Sequence, residues 1–512
     1  LQAAPEHAPC AKATGRWVLA ASVIGSSMAF VDGTVVNVAL PVLQTELGAS
    51  AAGLQWIVES YLLFLSALIL VGGALGDRYG RRRMFAAGVI LFSLASIWCG
   101  LAPDTAQLIA ARAAQGIGGA LLVPGSLSLI SASFSADQRG RAFGLWSGMT
   151  ALAMAFGPVL GGWLVDNVSW RWIFFINIPP SVVVVWILYR RVPESRDEAA
   201  TSQRLDWPGA ALATAALGSL IYGLVEAGIV GLAAPQVLVA LGGGALLTAA
   251  FLAVEARSPA PMMPLDLFRS RAFAGANLMT LLLYAALSGS LFYLPFSLVQ
   301  VHGYSTTAAG AAFLPFILLM AGLSRLAGDL ASRHGGRLPL VIGPIVAAGG
   351  FALFAVSDGS GGYWTDVFPA IAVLGLGMAT SVAPLTTVVM GAVETRRAGI
   401  ASAINNAVSR VAGLLAIAMM GILVATTFNT ALDARLDEIV LTAEARTALD
   451  AERINLAGAR APAGLDASTR AAVDRAVDDS FIAGFRLAML GAAALALASA
   501  AVAAATIGRR RR

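Results

Sequence analysis

Long apolar runs, separated by short polar stretches rich in arginine, set the rhythm of this chain. A helix that crosses a bilayer needs about 20 predominantly apolar residues. Fourteen stretches meet that rule: 17–40, 53–73, 84–102, 106–130, 141–165, 170–189, 207–226, 233–254, 272–296, 308–326, 338–357, 364–390, 398–425 and 481–507. Irregular backbone is not tolerated against lipid, so each stretch predicts an α-helix. Two regions break the pattern. The stretch 190–206 is a charged linker, read either as a hinge or as a solvated loop. The stretch 427–480 is polar, alanine-rich and helix-permissive, and is expected outside the membrane.

Composition agrees with an all-α integral membrane protein. Of 512 residues, 58% are hydrophobic and only 12% charged, against about 25% charged in soluble domains; the mean hydropathy is +0.77. Other classes drop out. The single lysine, Lys12, precedes Ala13, so the chain has no GxxxxGK[ST] phosphate loop. His7, His302 and His334 are far apart in sequence, which argues against a zinc site. Cys10 lies in a polar tail and Cys99 in an apolar run, so no disulfide is expected. The first apolar stretch is too long for a cleaved secretory signal. No cofactor, metal or nucleic-acid partner is expected.

The net charge of +5 reflects arginines placed at the ends of apolar stretches. Arg78, Arg81–Arg83, Arg139, Arg190, Arg191, Arg257, Arg269, Arg333, Arg337 and Arg509–Arg512 fall on alternate connections and on the C-terminal tail. The short connections on the other side carry none, Arg171 only bordering one. Cytoplasmic loops carry the excess of arginine and lysine, so both termini are predicted cytoplasmic.

The second and third stretches flank Gly73-Ala-Leu-Gly76-Asp77-Arg78-Tyr-Gly80-Arg81-Arg82-Arg83. Its glycines permit a tight turn, and Asp77 is placed to accept from the N–H groups of a neighbouring helix start. Further motifs are Phe30-Val-Asp32-Gly-Thr34-Val-Val-Asn37-Val-Ala39-Leu40-Pro41, Arg112-Ala-Ala-Gln115-Gly116-Ile-Gly118-Gly119, Gly157-Pro158-Val-Leu-Gly161-Gly162 and Trp170-Arg171-Trp172-Ile-Phe-Phe-Ile-Asn177. In this order they resemble the fourteen-helix drug/proton antiporter branch of the major facilitator superfamily. Ala153 replaces one glycine of the antiporter motif, Ser332 replaces an acid in the second copy of the loop motif, and Glu59 stands where relatives usually carry a hydroxyl or apolar residue.

The resemblance implies two six-helix bundles, 1–189 and 272–512, with a linker and two inserted helices at 190–271. Stretches 1, 4, 9 and 12 would line a central cavity; 2, 5, 10 and 13 would form the sliding interface. It also implies a cytoplasmic gate at Gly76, Asp77, Arg78, Gly80 and Arg81, and an antiporter helix motif at Gly157, Pro158, Gly161 and Gly162.

A charge near the middle of a membrane helix costs at least about 2.5–3.5 kcal/mol, so charges there point to function. Asp32 lies ~12 Å deep from the outer face, and Glu59 and Arg112 ~9 Å. These three are the proton-coupling candidates. Asp32 and Arg112 are read either as a structural pair or with Asp32 exchanging a proton. Glu59 is read as a cavity acid for cations or as a group snorkelling to the surface. Arg410 is read first as an interface residue. Asn277, Tyr284, Tyr293, Thr380 and Thr386, with Asp32 and Glu59, are the candidate substrate-cavity residues.

The function expected is proton-coupled export of hydrophobic, cationic or amphipathic drugs across a bacterial inner membrane by a monomer, with the proton gradient as energy source. The alternatives are export of one endogenous lipid or metabolite, and a polytopic membrane enzyme, which the absence of a clustered nucleophile–base pair disfavours.

Overall fold

The computed structural model describes residues 12–196, 206–259, 261–357, 362–394 and 397–508. Most of the charged linker, together with His7, Cys10, Arg204, Arg396 and Arg509–Arg512, lies outside the described residues, as do the side chains of Lys12, Arg325 and Ser332. Among the described residues fourteen helices are long and apolar enough to cross a membrane. They are α1 (Lys12–Leu47), α2 (Ala51–Tyr79), α3 (Arg81–Leu101), α4 (Thr105–Ser133), α5 (Ala136–Asn167), α6 (Trp172–Arg191), α7 (Trp207–Val230), α8 (Pro235–Arg257), α9 (Arg271–Val301), α10 (Thr306–Asp329), α11 (Arg337–Val356), α12 (Tyr363–Gly391), α13 (Ala398–Leu436) and α14 (Ala467–Thr506).

Short polar side chains start many of these helices by accepting the first free N–H groups. Ser50 accepts from Gly53 N at 3.2 Å, Asp104 from Gln107 N at 2.8 Å and Asp206 from Gly209 N at 2.9 Å. Without a hydrophobic force between helices in lipid, small residues decide how closely they pack. A Cβ on Gly72 of α2 would sit 2.0 Å from the Ala120 carbonyl oxygen of α4, and one on Gly118 would sit 2.6 Å from Phe92 N of α3. The α2–α4–α3 layer exists because these positions have no side chain.

The loop bearing Arg81–Arg83 marks one end of the bundle, here called the arginine-rich end. Hydrogen bonds between α1–α6 and α9–α14 gather at the opposite end. Gln300 donates to Gln44 at 2.8 Å and Gln55 donates to the Tyr293 hydroxyl at 2.7 Å. Asp166, at the end of α5, accepts from the backbone N–H groups of Thr306 (3.1 Å) and Thr307 (2.7 Å), so it caps α10. Glycines complete the closure: a Cβ on Gly162 would lie 2.4 Å from the Thr306 carbonyl oxygen, and one on Gly310 2.1 Å from that of Pro158.

The polar stretch 427–480 is more ordered than a loop. α13 runs to Leu436 and α14 starts at Ala467, because alanine-rich sequence without glycine or proline continues both helices and Asp466 caps the second. Phe428, Leu432, Val473 and Val477 are buried on these extensions. A short helix, Ala443–Glu452, folds between them, and Gln44 of α1 donates to Asn455 O at 2.9 Å. This segment therefore covers the closed end.

Replacing Gly72 with valine should lower the thermal unfolding midpoint of the purified protein, because overpacking at a helix contact costs typically about 1–3 kcal/mol. Gly242 of α8 has open space where its Cβ would point, so Gly242→Ala should leave the midpoint unchanged or raise it. Equal effects at both positions would contradict the packing account.

Candidate functional site

The sequence places Asp32, Glu59 and Arg112 at one depth, and the structure divides them into two environments. Arg112 is 1% exposed and is the largest fully buried side chain of the described residues. Its Nη1 donates to Asp32 Oδ2 in a short ion pair and to Gln115 Oε1 at 2.6 Å; its Nε donates to Ile57 O at 3.1 Å. Its guanidinium lies 4.3 Å from the Tyr61 ring centre. The other carboxylate oxygen of Asp32 accepts from Gln115 Nε2 at 2.7 Å and from Asn177 Nδ2 at 3.3 Å. Ser96 Oγ accepts from Gln115 at 2.9 Å and donates onward to Phe92 O at 2.8 Å. One ion pair thus joins α1, α2, α3, α4 and α6.

Asp32 itself is 1% exposed and does not line open space. In this structure Arg112, Gln115 and Asn177 draw its oxygens inward. Gln115 and Asn177 both belong to the quoted motifs, but motif membership alone does not show that they hold Asp32. The signal available was an amide in each of two apolar spans, since a buried amide must find partners.

Glu59 is 0% exposed, so it does not snorkel. Neither carboxylate oxygen has a hydrogen-bond partner among the described residues. Helix geometry separates it from Arg112. Ile57 and Tyr61, one turn apart, meet Arg112, whereas Glu59 points to the face it shares with Gln55, one turn away. That face meets α9 through Tyr293 and borders the packed residues Leu63, Ile221, Val225, Leu414 and Ala418 of α2, α7 and α13.

The remaining candidates scatter. Asn277 is buried, donates to Phe273 O at 2.9 Å and accepts from Asn405 Nδ2 at 3.1 Å. Tyr293 is buried against Gln55, and Tyr284 packs on the core. Thr380 is half-buried and Thr386 exposed; both donate to their own helix, to Leu376 O (2.7 Å) and Val382 O (3.2 Å). Gly157 and Gly161 let α5 approach α1: added Cβ atoms would meet Thr34 Oγ1 at 2.3 Å and Val35 Cγ1 at 2.6 Å.

At the arginine-rich end Asp77, in the last turn of α2, pairs with Arg81 at the start of α3 at 2.8 Å. The helix-capping task expected of Asp77 is taken by Glu194, just after α6. Its carboxylate accepts from Arg82 N (3.0 Å) and Arg83 N (3.2 Å), the first free N–H groups of α3. Gly80, between Asp77 and Arg81, has φ 113°, and a Cβ there would meet Glu194 at 2.8 Å. Gly76 faces open space and Arg78 stacks on the Tyr79 ring at 5.4 Å. Nearby, Arg397 donates to Asp266, and that hydrogen bond foremost holds the Asp266 carboxyl below the usual carboxylate range.

Residues 22–417 match the sequence model of the Major Facilitator Superfamily. The chain is 36% identical over 481 residues to the multidrug resistance protein Stp of Mycobacterium tuberculosis, covering 93% of this chain and 89% of Stp. It is 33% identical to the tetracenomycin C resistance and export protein of Streptomyces glaucescens, over 97% of this chain and 93% of that one. Its fold is similar to that of a bacterial homolog of the human lysosomal transporter Spinster, with a TM-score of 0.67 at 17% identity, covering 98% of this chain and 100% of the other. Two motif-bearing ends, fourteen apolar helices and a match across most of its length make this chain a member of the major facilitator superfamily of membrane transporters.

Proposed function

We propose that this chain exports hydrophobic, cationic or amphipathic drugs from a bacterial cell across the inner membrane, in exchange for protons. The relatives named for multidrug resistance and for tetracenomycin C resistance and export support the direction and the substrate class. The observation that carries the proton coupling is Glu59: a carboxyl inside a spanning helix, fully buried, with neither oxygen partnered among the described residues.

The chain acts as a monomer with no cofactor, and the arginine-rich end faces the cytoplasm, as the positive-inside rule requires. The closed end then faces outward and the protein is inward-facing. The two six-helix bundles, 1–189 and 272–512, rock about the α2–α13 and α5–α10 contacts, with 190–271 supplying the inserted helices. The loop from Gly76 to Arg81 acts as the cytoplasmic gate, and Asn277, Tyr284, Tyr293, Thr380 and Thr386 supply polarity to the substrate path.

In this scheme Glu59 binds either a proton or a cationic substrate. An ionised carboxylate in a low-dielectric site attracts a cation strongly, and a proton that neutralises it releases that cation. Each charge returning inward gains about 2.3 kcal/mol per 100 mV of membrane potential. The Asp32–Arg112 pair serves a different purpose. A proton arriving at Asp32 would leave Arg112 uncompensated, so the pair locks α1 to α4 and couples to the cycle only if that lock opens.

A second reading, export of one compound, draws on relatives named for single antibiotics, such as the puromycin resistance protein of Streptomyces alboniger. Growth of an efflux-deficient strain on a panel of dyes and antibiotics separates the two: protection against many unrelated compounds supports drug export, and protection against one supports the narrower reading.

Two predictions follow from this division. Glu59→Gln should abolish proton-driven uptake of cationic dyes into inverted vesicles and weaken that of neutral substrates less; equal loss for both would make Glu59 a general coupling or folding residue. Asp32→Asn should destabilise the protein by about 3–5 kcal/mol, because it strands a buried charge. The double variant Asp32→Asn with Arg112→Gln should recover yield and transport. A stable but inactive double variant would assign the proton to Asp32 instead.

A further inference from the structure

A cavity of about 480 Å³ opens near the arginine-rich end, apart from the charged site. The inserted helices α7 and α8 form one wall, through Ala213, Ala216 and Leu217 and through Thr248 and Phe251; α2, α9, α13 and the α8–α9 connection form the rest. No lining residue comes from α1, α4 or α12 among the described residues. Ser66, on its rim, lies seven residues beyond Glu59 on α2, about 10 Å along the helix. We propose that this chamber is a binding site for a neutral, apolar small molecule that carries a hydrogen-bond donor, a substrate class distinct from the cations that Glu59 attracts. The proposal deepens the export reading and rests on it for the fate of the ligand, but not for the binding itself.

Size fits first: sites for small ligands measure roughly 300–1,000 Å³. Charge is the second filter. The lining contains no Asp, Glu, Lys or Arg, so a charged ligand would lose its hydration without gaining a partner. Hydrogen-bond capacity is the third. The polar lining groups are Ser66, Thr248 and Asn277, and each has committed a donor to its own helix. Ser66 donates to Leu62 O at 2.5 Å, Thr248 to Gly244 O at 2.8 Å and Asn277 to Phe273 O at 2.9 Å. A hydroxyl has one hydrogen and two lone pairs, so Ser66 and Thr248 retain only acceptor capacity. Asn277 keeps one amide N–H, so two hydroxyl acceptors stand against one donor and the chamber favours a ligand that donates. Met262 and Met263, from the α8–α9 connection, add soft walls that adapt to different ring shapes.

The test reads binding without transport. Ala213→Cys is introduced in a Cys10→Ser background, where Cys99 is buried, and labelling by N-ethylmaleimide is timed in proteoliposomes without a proton gradient. Leu217→Cys repeats the measurement one turn on, should the first variant fold poorly. 1-Naphthol should slow labelling saturably. 1-Methoxynaphthalene keeps the ring but lacks the O–H donor, and should need roughly three- to tenfold more for the same protection, the worth of one net hydrogen bond. Thr248→Val, which removes an acceptor, should shrink that difference. Leu232→Cys, in the short connection between α7 and α8 and 55% exposed, should label at the same rate throughout. Equal slowing at Leu232→Cys would mean a general effect on labelling or on the bilayer and would overturn the proposal. So would equal potency of the two naphthalenes, or a chamber cysteine that neither labels nor is protected. A chain that passes these tests yet moves no drug under a gradient would sink the export reading and leave the site standing.

Discussion

Arg112 carries a permanent charge in the interior of a membrane protein, and much of the N-terminal half is arranged around compensating it. A lone guanidinium there has no water to turn to, and every donor it fails to satisfy is costly. Asp32 supplies the countercharge, Gln115 and the Ile57 carbonyl take further N–H groups, and the Tyr61 ring covers one face. Asp32 in turn requires Gln115 and Asn177. Because these groups come from five helices, the chain cannot bury the charge without assembling α1, α2, α3, α4 and α6 in one register. Buried pairs are weak stabilisers compared with apolar packing, yet they penalise wrong arrangements heavily. The pair thus serves specificity of assembly more than net stability.

The two ends of the bundle obey a different logic. At the closed end glycines bring α5 against α10 until backbone meets backbone, and Asp166 caps the incoming helix. At the arginine-rich end Glu194 caps α3 and fastens the start of the linker to the loop bearing Asp77. Each contact joins a carboxylate to backbone N–H groups at a helix start. Such contacts are exposed enough to exchange with water, so they break at small cost. Buried charge pairs hold helices permanently, and rim caps are suited to opening and closing.

Hydropathy made the fourteen helices legible, because lipid accepts no other structure for apolar runs of that length. The motif glycines were legible as close contacts, though not which contact each makes: Gly157 and Gly161 face α1 while Gly162 faces α10. The Asp32–Arg112 pair followed from matching depth. Depth gives no azimuth, however, so it also grouped Glu59 with them, although Glu59 points away from Arg112 on α2. The glycine turn beside Asp77 suggests a helix cap. Glu194 does that work from more than a hundred residues away, and no local pattern shows which acid will fold back. The stretch 427–480 is legible as alanine-rich and helix-permissive, and alanine content carries α13 and α14 well beyond their apolar segments.

The inserted helices connect these observations. Leu63 of α2, Leu414 and Ala418 of α13 and Ile221 and Val225 of α7 form one packed group. Helix α7 therefore lies across the seam between α2 and α13, the face toward which Glu59 points. Without that cover the seam would be bounded by lipid, and an unpartnered acid would sit against hydrocarbon, where it is least tolerable. With it, Glu59 is enclosed by protein and can reach water or a ligand only when the seam parts. The same cover, continued toward the arginine-rich end, encloses the apolar chamber bordered by Ser66 and Thr248. One structural addition thus makes two environments along α2, an isolated carboxyl and a neutral chamber lined by few polar groups. A movement of that seam would change access to both at once, because α2, α7 and α13 border the carboxyl and the chamber alike.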